Sequence, residues 1–169
     1  MNQNERRILR RYIVDACVKS ANSKGYGDAV GILRGTLFLA DEPMSLDQLV
    51  EETGYSKSTV SSNMSLLENL GLARRLIVPG DKRYHYIPVT DHDSLKKAML
   101  TNVRNEIQYI MTALDMTEKD VNPKDPDSEA FLKRIADIRR FYKQTDRLLD
   151  LVARYTTDEL IELLENDCR

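Results

Sequence analysis

The chain has no tryptophan, and among its 169 residues only two cysteines, two histidines, five prolines and seven glycines. So few turn formers argue against an all-β fold built from many tight reversals. Cys17 and Cys168 stand near opposite ends and cannot make a CxxC unit. Cys17 is expected to be a small buried side chain and Cys168 an exposed one; Asp15 and Lys19 around Cys17 give only a faint version of the electropositive setting a thiolate switch needs. His85 and His92 have no cysteine or second histidine at ligand spacing, and no glycine-rich phosphate loop or nucleophile elbow is present. No enzyme activity, metal site or cofactor is therefore expected. No apolar run approaches the ~18 residues of a membrane span. The opening MNQNERRILRRY carries charge without the apolar stretch of a secretory signal, which predicts a cytoplasmic protein with no membrane contact.

Hydrophobic residues supply 41% of the chain and charged residues 31%, enough for a real core under a heavily solvated surface. The net charge of −2 is unevenly spread: residues 1–24 carry +4, 25–54 carry −5, 55–86 carry +3, 87–114 balance, and 115–169 carry −4. DNA binding needs a local positive face and not a basic whole, so this distribution permits a DNA partner without demanding one.

Apolar spacing lays out the elements. Ile8, Leu9, Tyr12, Ile13, Ala16 and Cys17 share one face of a helix over 5–23, with Arg6, Arg7, Arg10 and Arg11 on its remaining surface. After Gly25-Tyr26-Gly27, Asp28 is the expected N-cap of a helix over 29–40 carrying Val30, Leu33, Leu37 and Phe38. Ser45 and Gln48 match a capping box opening a short helix that Gly54 ends, and Ser56 caps the next, striped by Val60, Met64, Leu67 and Leu70 up to Gly71. Two β-rich runs, 72–78 and 83–89, flank Pro79-Gly80-Asp81-Lys82 and read as a hairpin. A helix is then expected from Asp91 to about Asp115, striped by Leu95, Met99, Val103, Ile107, Ile110 and Leu114. Ser128 is the expected cap of another, whose Ile135, Ile138, Tyr142, Thr145, Leu149 and Val152 follow nearly coiled-coil spacing. A capping box at Thr156 and Glu159 opens the last helix.

The predicted fold is mainly α with a small β-hairpin wing: a winged helix-turn-helix plus N- and C-terminal dimerisation helices. The expected division is an N-terminal dimerisation helix at 1–27, the winged helix-turn-helix at 28–90 and a C-terminal helical dimerisation region at 91–169. Its recognition helix crowds Lys57, Ser58, Thr59, Ser61, Ser62 and Asn63 into two turns behind Ser56, with no acid until Glu68. Serine and threonine are mediocre helix formers, so a plain solvated face is a weaker reading than a surface shaped for phosphates and base edges. Lys82 and Arg83 at the hairpin tip suit a minor groove or backbone phosphate, with Asp81 placed to orient Arg83. Arg74 and Arg75 alternate across the first strand, so only one can share the DNA-facing side. Ser45 completes the candidate DNA contacts, and His85 is expected at the surface of the wing or facing DNA.

The stretch Gly31 to Tyr86 resembles the GbsR-like branch of the MarR superfamily. The motifs that carry the likeness are L-x-x-x-D-E-P-x-S-L-D-x-L, S-K-S-T-V-S, L-x-x-L-G-L-x-R-R and V-P-G-D-K-R, within a stretch that makes up about a third of the chain. The resemblance implies a homodimeric repressor or activator on double-stranded DNA, with a recognition helix from Ser56-Lys57 and a wing bearing Lys82 and Arg83. It also implies dimerisation through the terminal helices and release from a pseudo-palindromic operator by a small-molecule effector. Some members of that branch respond to choline, and aromatic cages do hold quaternary ammonium groups. Tyr12, Tyr26, Tyr109, Phe141 and Tyr142 could form such a site only if the outer helices pack together; core and dimer-seam positions are the stronger reading of them.

A homodimer is expected independently, because the stripes over 95–114 and 135–152 offer more apolar surface than one small subunit readily covers. Its seam would include Ile8, Tyr12, Val103, Ile107, Ile110, Leu114, Ile135, Ile138, Tyr142, Leu149 and Val152. The rival reading is a winged-helix module that binds proteins instead of DNA. It would call for an apolar or acidic recognition face, unlike the Lys57, Ser58, Ser61, Ser62 and Asn63 found here.

Overall fold

The computed structural model describes residues 3–122 and 124–167, without the side chains of residues 3–7 and 167; the expectations for Arg6, Arg7 and Cys168 lie outside that set. The chain divides into two compact units, Met1–Leu95 and Lys96–Arg169. The first holds α1 (Gln3–Asn22), α2 (Asp28–Phe38), β1 (Met44–Ser45), α3 (Leu46–Thr53), α4 (Lys57–Asn69), β2 (Ala73–Ile77) and β3 (Tyr84–Pro88). Helix α5 (His92–Asp120) leads into the second, followed by α6 (Ser128–Ala153) and α7 (Thr157–Asp167).

In the first unit, α1 and α2 touch backbone to backbone. A Cβ added at Gly31 would stand 2.3 Å from the Val18 Cα, and one at Gly35 2.8 Å from the Val14 Cα. The two glycines are four residues apart on one face of α2, and that missing bulk is what lets α1 seat so closely. Around this contact Ala21, Val30, Leu33, Leu37, Leu49, Val60, Met64, Leu67, Ala73 and Tyr86 form one buried cluster. Cys17 is buried as expected, and burial raises the pKa of its thiol while Arg34 acts weakly the other way.

Local chemistry starts the elements, with two departures from expectation. Gly27, at φ 83°, is the N-cap of α2, and Asp28 is its first helical residue; the Asp28 carboxylate accepts a 2.7 Å hydrogen bond from Asn22 Nδ2 instead of capping. It still sits where the helix dipole favours an acid. Ser128 likewise lies inside α6, whose N-cap position is held by Asp127 without a side-chain cap bond. The capping boxes at Ser45 and Gln48 and at Thr156 and Glu159 both form. Ser56 caps α4 by accepting from the Thr59 N–H at 3.2 Å.

The hairpin pairs β2 and β3 antiparallel from Ala73 opposite Pro88 to Ile77 opposite Tyr84. A third strand, β1, joins the far side of β3 with Met44 opposite Tyr86 and Ser45 opposite His85, giving the order β1-β3-β2. Two residues are too few for any alternation to show, so β1 carries no strand signature in the sequence.

In the second unit, α5 runs on to Asp120, five residues past its expected end. It is tied to α6 by ion pairs in antiparallel order: Arg139 with Asp115 and Glu118, and Arg104 with Asp146 and Asp150. Lys96 Nζ also donates to the Tyr155 carbonyl. Ile107 and Ile135, expected on a seam between subunits, are already buried within the single chain. Val103 and Ile138 remain exposed, while Ile110, Leu114, Tyr142, Leu149 and Val152 are half-buried.

Candidate nucleic-acid interface

Helix α4 is anchored by Val60, Met64 and Leu67 in the core, which fixes what its opposite face presents. Lys57, Ser58, Ser61 and Ser62 are exposed there, and Thr59 and Asn63 lie at the margin. A chain of hydrogen bonds orders these polar groups. Ser56 Oγ lies 2.9 Å from Ser58 Oγ and 2.8 Å from Thr59 Oγ1, while Ser62 Oγ and Asn63 Nδ2 donate to the Thr59 carbonyl at 3.1 and 2.8 Å. The helix therefore presents small, ordered hydroxyl and amide groups beside one ammonium at its positive end, a surface suited to phosphates and base edges.

At the wing, Asp81 does orient Arg83. The guanidinium donates Nε to Oδ1 at 3.0 Å and Nη2 to Oδ2 at 2.6 Å, and the Arg83 backbone N–H also donates to Oδ1. Arg83 thereby holds the Asp81 carboxyl well below the usual carboxylate range. A second acid, Asp47 in the first turn of α3, accepts from Lys57 Nζ at 2.9 Å and stands 3.7 Å from Arg83 Nη1. Lys82 is exposed at the tip with no side-chain partner among the described residues.

Several sequence assignments change. Ser45 is 1% exposed, with its hydroxyl committed to the Gln48 N–H and its backbone in the sheet, so it leaves the set of candidate DNA contacts. Arg75 is bound by Glu68 and stacks 5.2 Å from the Tyr84 ring, so of the two strand arginines it belongs to the fold. Arg74 is exposed, and its charge helps to lower the pKa of Asp91. His85 is 7% exposed, with Nδ1 3.2 Å from the Arg83 carbonyl and Nε2 3.6 Å from Asp81; it is a buried support of the wing tip and not a surface residue. Asp47 was missed. The only hint in the sequence was its place inside the D-E-P-x-S-L-D motif, because nothing local shows that α3 will approach the wing.

The five aromatic residues considered for an effector do not make one cluster within either unit. Tyr12 is exposed on α1, and Tyr26 packs on the core of the first unit. In the second, Phe141 and Tyr142 meet edge to face at 5.1 Å, and Tyr109 is exposed. The groove beside Phe141 and Tyr142 is lined by Lys133 and Arg134 as well as Asp137, a poor setting for a cation. Among the described residues no group of His, Cys, Asp and Glu could hold a metal ion, and no helix is long and apolar enough to cross a membrane.

Residues 37–83, from the end of α2 through the wing tip, match the MarR family model. That segment is a MarR-family winged helix. Beyond it, the chain is 27% identical over 117 residues to the HTH-type transcriptional repressor GbsR of Bacillus subtilis (strain 168), a likeness to the GbsR-like branch. The match covers 66% of this chain and spans 62% of the length of that relative. A solved structure described as a transcriptional regulator superposes with a TM-score of 0.69 at 16% identity, over 85% of this chain and 95% of the other. The fold, mainly helical with a three-stranded antiparallel sheet, is thus shared with that structure well beyond the segment that the family model matches.

Proposed function

We propose that this MarR-type chain is a sequence-specific DNA-binding transcriptional regulator, a repressor acting as a homodimer. Helix α4 would enter the major groove, and the wing at 79–84 would contact the minor groove or backbone. The observation that carries this is the outward face of α4: Lys57, Ser58, Ser61 and Ser62, ordered by hydrogen bonds and held on a rigid core, beside a wing tip bearing Lys82 and Arg83. The GbsR likeness supports repression over activation. Exposed apolar side chains on α1, α5 and α6, among them Ile8, Tyr12, Val103 and Ile138, support burial against a second copy. A two-fold dimer would read two half-sites about one helical turn, or a multiple, apart in a pseudo-palindromic operator, and a small-molecule effector would release it.

A gel shift on the DNA upstream of the protein's own coding sequence tests the reading. Binding should weaken steeply as salt rises from about 50 to 200 mM. It should also fall at least about tenfold in a Lys57→Glu, Arg83→Ala double variant. Salt-insensitive binding, or binding untouched by those substitutions, would instead favour a winged-helix module whose partner is a protein. Selection of bound sequences from random DNA would then supply the operator.

A further inference from the structure

Both proposed grips on DNA end on one acid. Pairing of Ser45 with His85 brings the start of α3 beside the stem of the wing, and residues 54–56 turn the chain so that α4 begins on the same side. Asp47, in the first turn of α3, meets both. Its Oδ1 accepts from the recognition-helix Lys57 at 2.9 Å, and its Oδ2 stands 3.7 Å from the wing Arg83. The hydrogen bond from Lys57, with help from Arg83, lowers the pKa of Asp47, so it is a carboxylate at neutral pH. Asp81 takes the other edge of Arg83. Two cations are thus matched by two carboxylates, and the cluster has no net charge where a phosphate would arrive. All four side chains keep access to solvent.

We propose that Asp47 is a restraining residue of the DNA interface: it orients Lys57 and Arg83 in the free protein and holds down affinity for DNA of arbitrary sequence. The inference rests on the DNA-binding reading above. Binding without regard to sequence is attraction between cations and phosphates, released as counterions. Exposed ion pairs contribute little, so a phosphate can take Lys57 from Asp47. The carboxylate left behind then faces the DNA backbone and repels it. Only a duplex that adds base-edge contacts to Ser58, Ser61 and Ser62 offsets that repulsion. An acid whose sole work was to favour the start of α3 would not alter salt dependence, and this separates the two roles.

The test uses the full chain and its Asp47→Asn variant, which keeps the shape and an acceptor oxygen, with fluorescence anisotropy on a duplex of random sequence. Asp47→Ser, which also suits a helix start, serves as the second variant. Both should bind about five- to tenfold tighter at low salt, with the slope of log K against log salt steeper by about one. Adding Lys57→Gln should remove most of that gain, since the two residues act on each other. Equal affinity and slope in wild type and variants overturn the restraint and leave the DNA reading in place. Weaker binding with a lowered melting temperature assigns Asp47 to the stability of α3 and also overturns it. If neither wild type nor variants bind any duplex, the DNA reading falls and the inference with it.

Discussion

Arg75 and Glu68 are joined by two hydrogen bonds of 2.7 Å, Nε to Oε1 and Nη2 to Oε2. The pair couples β2 of the wing to the last turns of α4, so the two elements proposed to grip DNA are fixed to each other as well as to the core. The fork geometry makes the contact directional. Arg75 also covers the Tyr84 ring, extending the tie across the hairpin.

Breaking this tie should loosen the wing more than it unfolds the protein. Glu68→Gln is expected to lower the melting temperature by only about 1–3 °C, because Arg75 is half-exposed. Amide hydrogen exchange across β2 and β3 should accelerate while α2 and α3 stay protected. Arg75→Gln should give the same pattern, and the double variant should cost little beyond either single one. Independent, additive losses would show that the pair does not couple the two elements.

Gly31 and Gly35 admit no side chain where α1 crosses α2. Gly31→Ala should destabilise by about 1–3 kcal/mol through overpacking, a fall of roughly 3–10 °C in melting temperature. Gly35→Ala should cost less, since its added methyl would meet Val14 at 2.8 Å and the Val18 contact at Gly31 is 2.3 Å. Thermal melts of both variants check the ranking. A neutral Gly31→Ala would mean that α1 does not seat on α2 as described.

The Asp81 carboxyl should titrate below the ordinary range of about 3.9 for aspartate. The sign follows from the folded pKa lying below the unfolded one. The contribution of Asp81 to stability is fully present above the unfolded value and is lost as pH falls towards the folded one. A carbon-detected NMR titration of the side chain reads this directly. In an Arg83→Gln variant the midpoint should return towards the ordinary value, because the Arg83 hydrogen bonds are the largest cause of the shift. An unchanged midpoint in that variant would assign the depression to other groups.

Light scattering after gel filtration should give the wild type a mass near twice 19.4 kDa. Tyr12→Glu combined with Ile138→Glu should shift it towards the monomer without lowering helical content, since both side chains are exposed in the single chain. A wild type that elutes as a monomer at micromolar concentration would remove the homodimer from the proposed function.

Local signals carried most of the element order. The capping box at Ser45, the cap at Ser56 and the apolar spacing of Val60, Met64 and Leu67 act within a turn or two of helix, so a reader of the sequence meets them whole. The expectations that failed depended on what lies across space. Ser45 reads as a polar residue before a recognition unit, yet β1 pairing buries it. His85 reads as a wing surface residue, yet strands on both sides enclose it. Arg74 and Arg75 are indistinguishable as neighbours until Glu68 takes one of them.

By itself, then, the amino-acid order determined a winged helix-turn-helix and the polar, acid-free start of its recognition helix, because caps, turns and periodicity are short-range properties of the backbone. Tertiary structure alone decided which charges are available to a partner. Asp47 lies ten residues from Lys57 and much farther along the chain from Arg83, and it meets both only because β1 joins β3 and α3 turns into α4. Electrostatic pairing depends on distance through space and not on separation along the chain, so no pattern in the sequence could have disclosed it.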